Sequence, residues 1–160
     1  TVSTSRLHPF VTSLSNTHHF STSPPPISDA AGRTRLLNSI RTLETGDAAV
    51  AVDFFHRMLT LNPFPCIQDF NLLFSIVAKS QHYASAISLI KTLHSLGDGS
   101  ADVCTLNIVI NCLCRLRKTT LGFAVLGLMT KIGLEPTLVT LNTIVNGLCI
   151  EGDVNHALWL

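Results

Sequence analysis

The chain has 160 residues, 46% hydrophobic and 13% charged, with a formal net charge of +1 at neutral pH. No apolar run approaches the roughly 18 residues that a membrane helix needs, and five cysteines without the spacing of an extracellular disulfide framework read as reduced thiols. The small net charge excludes a strongly basic protein but leaves nucleic acid open as a partner, because acids that face away from a groove cancel cations that line it.

The first 28 residues contain no Asp or Glu, are rich in Ser and Thr, and take their basic character from Arg6, His8, His18 and His19. Pro24-Pro25-Pro26 blocks any continuing helix. Nothing there can build a core, and an acid-poor, hydroxyl-rich start has the composition of an organellar transit peptide, so residues 1–31 are expected to be a disordered targeting segment, the bland alternative being a disordered tail with no address. The chain begins with Thr1 and not Met, and is expected to lack its true start.

Residues 32–66 form a degenerate helical unit: a short helix from Leu36 to Leu43, a break at Gly46, a second helix from Ala48 to Leu61, then Pro63 and Pro65. Residues 67–102 form the first full unit, its turn widened by Gly97-Asp98-Gly99-Ser100, and residues 103–137 the second, closed by Gly133 and Pro136. A third unit starts at Leu138 and the chain stops at Leu160 inside its second helix, as a fragment would.

The units are copies of one another. Phe70, Leu73, Phe74 and Val77 are matched by Leu106, Val109, Ile110 and Leu113, and again by Leu141, Ile144, Val145 and Leu148. Each set is spaced i, i+3, i+4, i+7, one face of an α-helix, and the sets recur with a period of about 35 residues. A second apolar set follows each first one: Ala51, Phe54, Phe55 and Met58; Ala86, Leu89, Ile90 and Leu93; Gly122, Val125, Leu126 and Met129; and Ala157 onward. Every unit is therefore a helix pair, and the small residue opening each second set is expected to let the two backbones approach closely. A lone pair cannot bury both its faces, so the fold class is all-α, a solenoid of stacked helix-turn-helix repeats whose first, atypical unit is a cap.

Asn71, Asn107 and Asn142 hold one place in the three repeats, each just after the first apolar residue of its stripe. An asparagine amide both donates and accepts, as the edge of a nucleobase does; the bland alternative is that it bonds to a helix end. Lys79 and Arg115 share the last turn of the first helices, where a cation also favours the helix dipole. Asp69, Thr105 and Thr140 align as expected N-caps. Catalysis and metal binding find no support: Cys112 and Cys114 point about 200° apart on a helix, and His56, His82, His94 and His156 share no geometry with an acid or a nucleophile. No enzyme activity, metal or cofactor is expected.

The run Leu138-Val139-Thr140-Leu141-Asn142-Thr143-Ile144-Val145-Asn146-Gly147-Leu148-Cys149, followed by Gly152 and Ala157 and preceded by Met129, Gly133 and Pro136, resembles the repeat of the pentatricopeptide repeat proteins. The resemblance covers about residues 32–160 and is strongest from residue 67. A tetratricopeptide repeat would place a Trp and a Tyr early in each unit, and the single Trp here, Trp159, stands late in one. The near-uniform repeat length is similar to the plain branch of the family, and Asn62-Pro63-Phe64-Pro65 to its restorer-of-fertility-like plant members. His18-His19-Phe20-Ser21 resembles a plant mitochondrial processing site.

This resemblance implies a right-handed α-solenoid, in a mitochondrion or alternatively a plastid, that binds single-stranded RNA with one base per repeat. It implies base selection by Asn71 with Asp102, Asn107 with Thr137, and Asn142; packing on the bases by Gln68, Cys104 and Val139; and phosphate contacts from Lys79 and Arg115, with Ile150 in the third repeat. By the family's pattern the bases lean to pyrimidines: uracil at the first repeat, cytosine or uracil at the second, a pyrimidine at the third. The implied role is transcript processing, stabilisation or translation, with a nuclease or other RNA-processing protein as a further partner. The alternative is a protein-binding helical scaffold, which would line its concave face with aromatic or mixed apolar side chains.

Overall fold

The computed structural model describes residues 30–42, 48–97 and 101–159. The targeting segment through Asp29, the site at His18-His19-Phe20-Ser21, the break at Gly46 and the turn centre Asp98-Gly99-Ser100 lie outside the described residues. Wherever the apolar stripes recur the chain is helical: α1 (Ala30–Arg41) and α2 (Ala48–Leu59), α3 (Ile67–Lys79) and α4 (Tyr83–Ser95), α5 (Val103–Arg115) and α6 (Thr119–Lys131), α7 (Leu138–Glu151) and α8 (Val154–Trp159). Among the described residues there is no strand, and no helix is long and apolar enough to cross a membrane.

Four helix starts differ from the sequence expectation. The first helix opens at Ala30 and not at Leu36, and Arg33 Nη2, in its first turn, donates to Asp69 Oδ2 at 2.6 Å and so ties that turn to α3. Asp69, Thr105 and Thr140 are not N-caps; the caps are Cys66, Asp102 and Thr137, three residues earlier. The expected residues occupy the third helical position, from which Asp69 Oδ2 accepts the Cys66 amide at 3.2 Å and Thr140 Oγ1 accepts the Thr137 amide at 3.0 Å. The polar pattern marks the helix start correctly but assigns the wrong half of a reciprocal cap.

In the pairs α3–α4, α5–α6 and α7–α8 the chain turns through one left-handed residue. Gly152 takes it at φ 85°, as glycine does at no steric cost, whereas the equivalent places in the two preceding repeats hold Gln81 at φ 66° and Arg117 at φ 55°. The turn is tight because the next two helices must lie antiparallel. Glu151 Oε1, at the end of α7, accepts the Thr119 amide at 2.9 Å and satisfies an open donor at the start of α6.

The first helices α1, α3, α5 and α7 touch in succession and form one layer, while each packs on its own second helix. Solenoid order follows, since every pair contacts its neighbours in the chain. Side chains of α5 reach two cores. Ile108 and Cys112 join the larger one, built on α1 to α4, and Leu106, Ile110 and Cys114 join that of α6 and α7. The 200° separation of the two cysteines thus places them in different cores, and burial pushes the Cys112 thiol up to about 11. Cys114 is buried but Cys149, its counterpart on α7, is exposed, because α7 covers α5 on that flank and no described helix covers α7 there.

The close backbone approach occurs at a different glycine from the one expected. A Cβ added to Gly122 would meet Cys114 Sγ at 3.6 Å, an ordinary contact, so alanine fits there as it does at Ala51 and Ala86. At Gly147 a Cβ would lie 2.7 Å from Cys114 Cβ and 3.1 Å from Thr119 Oγ1. The missing side chain that matters is where α7 crosses α5.

Candidate functional site

Because α3, α5 and α7 stand side by side, residues in the same register form rows across their common surface. A groove of about 1010 Å³ runs over these rows. It brings together Asp102, Asn107 and Thr137 of the expected base-selecting set, Cys104 and Val139 of the packing set, and both cations, Lys79 and Arg115. Asn71, Gln68 and Asn142 do not line it. Ser75, Asn111 and Thr143 do, and the sequence reading passed over them; the signal was there, since Ser75, Asn111 and Asn146 recur one helical turn after the three asparagines.

Asn71 is only 4% exposed. Its Nδ2 donates to Asp102 Oδ1 at 3.0 Å, and the Thr105 hydroxyl lies 2.8 Å from both Asn71 Oδ1 and Asp102 Oδ1, donating its one hydrogen to either. Asp102 Oδ1 also accepts the Thr105 amide at 2.7 Å, as the cap of α5. In this repeat the asparagine does bond to a helix end, that of the next repeat, and Asp102 is the partner that fronts the groove. A carboxylate is acceptor-only, so it fixes which end of the amide faces it.

Burial pushes the Asp102 carboxyl up, but the hydrogen bonds from the Thr105 amide and hydroxyl, from Asn71 and from the Cys104 amide outweigh it and leave the group below its ordinary value of 3.8. A depressed carboxyl contributes stability that is full above its unfolded value and is lost as pH falls through the folded one. Thermal unfolding of the wild-type protein and Asp102→Asn should therefore differ most above pH 3.8 and converge on acidification below it. A gap that stays constant from neutral pH to below that value would show that the charge on Asp102 contributes nothing.

The second repeat is arranged differently. Thr137 keeps its hydroxyl within its own cap, where it accepts the Thr140 amide at 3.4 Å, and Asn107 gains no bond from it. Asn107 Oδ1 is buried against the groove wall without any hydrogen-bond partner. An unpaired buried acceptor costs about 1–3 kcal/mol, so the fold leaves this amide under-satisfied. In the third repeat Asn142 is exposed, and Val139 is 63% exposed at the groove margin, a flat apolar surface. Lys79 and Arg115 close the last turns of α3 and α5; both are exposed, and neither has an acidic partner among the described residues. No group of three His, Cys, Asp or Glu among the described residues could hold a metal ion.

Comparison with known proteins bears on the same region. Residues 101–158 match the PPR repeat family. A mitochondrial pentatricopeptide repeat-containing protein of Arabidopsis thaliana is 36% identical over 128 residues, 80% of this chain and 21% of the relative. A second pentatricopeptide repeat-containing protein of that plant is 41% identical over 114 residues, 69% of this chain and 18% of the relative. A third, mitochondrial by name, is 39% identical over 104 residues, 65% of this chain and 16% of the relative. The chain spans about a fifth of the length of these curated relatives.

Proposed function

Because the chain belongs to the pentatricopeptide repeat family, we propose that its groove binds single-stranded RNA in sequence-specific fashion, one base per repeat, within a mitochondrion. The observation that carries this reading is the groove itself, which Asn107, whose carbonyl the fold leaves without a partner, lines together with two cations that have no acidic partners among the described residues. The cations supply sequence-independent attraction to phosphate and the amide supplies discrimination. Val139 and Cys104 offer the surfaces on which bases would pack.

At the first repeat Asp102 would accept the ring N–H of uracil, with Asn71 held behind it. At the second, Asn107 offers both a donor and an acceptor to a pyrimidine, with Thr137 nearby on the groove wall. Binding of this kind protects a transcript, hides or exposes a translation start, or presents a cleavage site to a separate nuclease. The reading belongs with the plain branch of the family and assigns the protein no reaction of its own. Mitochondrial location is supported by the names of two of the three relatives.

The test is binding of the intact protein to short RNAs that differ at one base. Asn107→Ala should lower affinity for the preferred pyrimidine by about three- to tenfold, one hydrogen bond's worth, and flatten selectivity at that base alone. Replacing Lys79 and Arg115 by alanine should weaken all sequences alike and reduce the salt dependence. Equal loss for all four bases on replacing Asn107 would make it structural, and unchanged affinity when Asn107, Lys79 and Arg115 are all replaced by alanine would transfer the groove to the protein-scaffold reading.

A further inference from the structure

The proposed function leaves Asn111 without a role. It stands one turn after Asn107 and one turn before Arg115 on α5, so the three side chains share one face, each step advancing about 6 Å along the axis. Asn111 is half-buried, lines the groove, and makes no hydrogen bond to any described residue. An asparagine in mid-helix lowers helix propensity, and α5 carries it although apolar cores lie on both its sides. The place stays polar across the stack, with Ser75 on α3, which also lines the groove, and Asn146 on α7. The other short polar side chain there, Thr143, is already spent, since its hydroxyl donates to the Val139 carbonyl at 2.7 Å.

We infer that Asn111 reads the sugar: it hydrogen-bonds the 2′-hydroxyl of the nucleotide whose base meets Asn107, and Ser75 does the same in the preceding repeat. The inference rests on the RNA-binding reading above. A nucleotide presents base edge, ribose and phosphate in succession, and α5 presents Asn107, Asn111 and Arg115 in succession along one groove. With the amide of Asn107 at the base and the guanidinium at the phosphate, the ribose falls on Asn111. The 2′-hydroxyl is donor and acceptor at once, and so is a carboxamide; a carboxylate at this place would repel the phosphate, and an ammonium would bind the phosphate without distinguishing the sugar. The hydroxyl is also the group by which a protein tells RNA from DNA at a given position. The groove would then select sugar type and base identity through separate side chains one helical turn apart.

The experiment uses the intact protein and its RNA, with a single 2′-deoxy nucleotide moved through the site. In the wild type, deoxy substitution at the nucleotide facing Asn107 should weaken binding by about three- to tenfold, one hydrogen bond's worth. Asn111→Ala, which suits a helix, should bind the all-RNA ligand more weakly by the same factor, show no deoxy penalty at that nucleotide, and keep the base preference set by Asn107. Asn111→Ser, which copies the side chain of Ser75, should restore part of the penalty. A deoxy penalty that survives in Asn111→Ala with base selectivity intact overturns the sugar assignment and leaves the RNA reading standing. If neither Asn107→Ala nor the paired cation variant alters RNA binding, the RNA reading itself fails.

Discussion

Replacing Phe55 by alanine is expected to cost about 3–5 kcal/mol, the range for truncating a fully buried aromatic side chain. Phe55 on α2 is 0% exposed, and its ring meets Phe70 edge-on at 5.9 Å and Phe74 at 6.2 Å, both on α3. Phe70 and Phe74 are themselves stacked at 6.2 Å, and Phe64 lies against Phe70 at 5.5 Å. The cluster is the joint between the atypical first pair and the first full repeat. Nearest-neighbour interfaces hold a solenoid together, so losing this joint should release α1 and α2 before the rest. Hydrogen exchange should show protection collapsing in residues 48–59 while residues 103–115 keep theirs. A stability loss below about 1 kcal/mol would show that the site collapses around the missing ring and that the aromatic joint is dispensable.

Gly147→Ala should destabilise by about 1–3 kcal/mol, the usual cost of forcing an extra carbon into a packed interface. The new Cβ would sit 2.7 Å from Cys114 Cβ, an atom fixed to the α5 backbone, so the two helices must separate. Cys114→Ala removes Sγ but keeps that Cβ, and should rescue only part of the loss. Gly122→Ala is the control: its added carbon finds an ordinary 3.6 Å contact with the same sulfur, and alanine exceeds glycine in helix propensity by about 1 kcal/mol, so this change should be neutral or stabilising. The Gly147 change should also reach the groove, since α5 carries Asn107 and α7 carries Val139. Denaturant unfolding of the two single variants measures the contrast; equal effects would remove the special status of the α5–α7 crossing.

Much of this protein is legible in one dimension. The i, i+3, i+4, i+7 stripes define helix faces, and helix geometry is local, so Phe70 to Val77 and Leu106 to Leu113 declare their helices without any tertiary information. The period then aligns the repeats, and alignment sets Lys79 in register with Arg115, and Asn71 and Asn142 in register with Asn107; the structure lines one groove with Lys79, Arg115 and Asn107 and leaves Asn71 and Asn142 out of it. What a residue's neighbour in the next repeat would do to it could not be read this way. Asn71 and Asn107 are indistinguishable in register. One is locked because the next cap is Asp102, whose carboxylate can accept several bonds at once, and the other is open because the next cap is Thr137, whose hydroxyl stays with Thr140. Ile108 and Cys112, off the main stripe of α5, are buried because a helix layer lies on both sides of it.

The sequence by itself determined the helices, their pairing and their period, since each depends on the spacing of residues within one helix or on repetition. Only the tertiary structure decided which amides are spent on the fold and which remain for a ligand, and where two backbones touch. Those outcomes turn on hydrogen bonds and contacts a few ångströms long between residues some 30 positions apart, such as Asn71 with Asp102 and Gly147 with Cys114. At that range the deciding factor is the exact distance between helix axes, which no single stripe encodes.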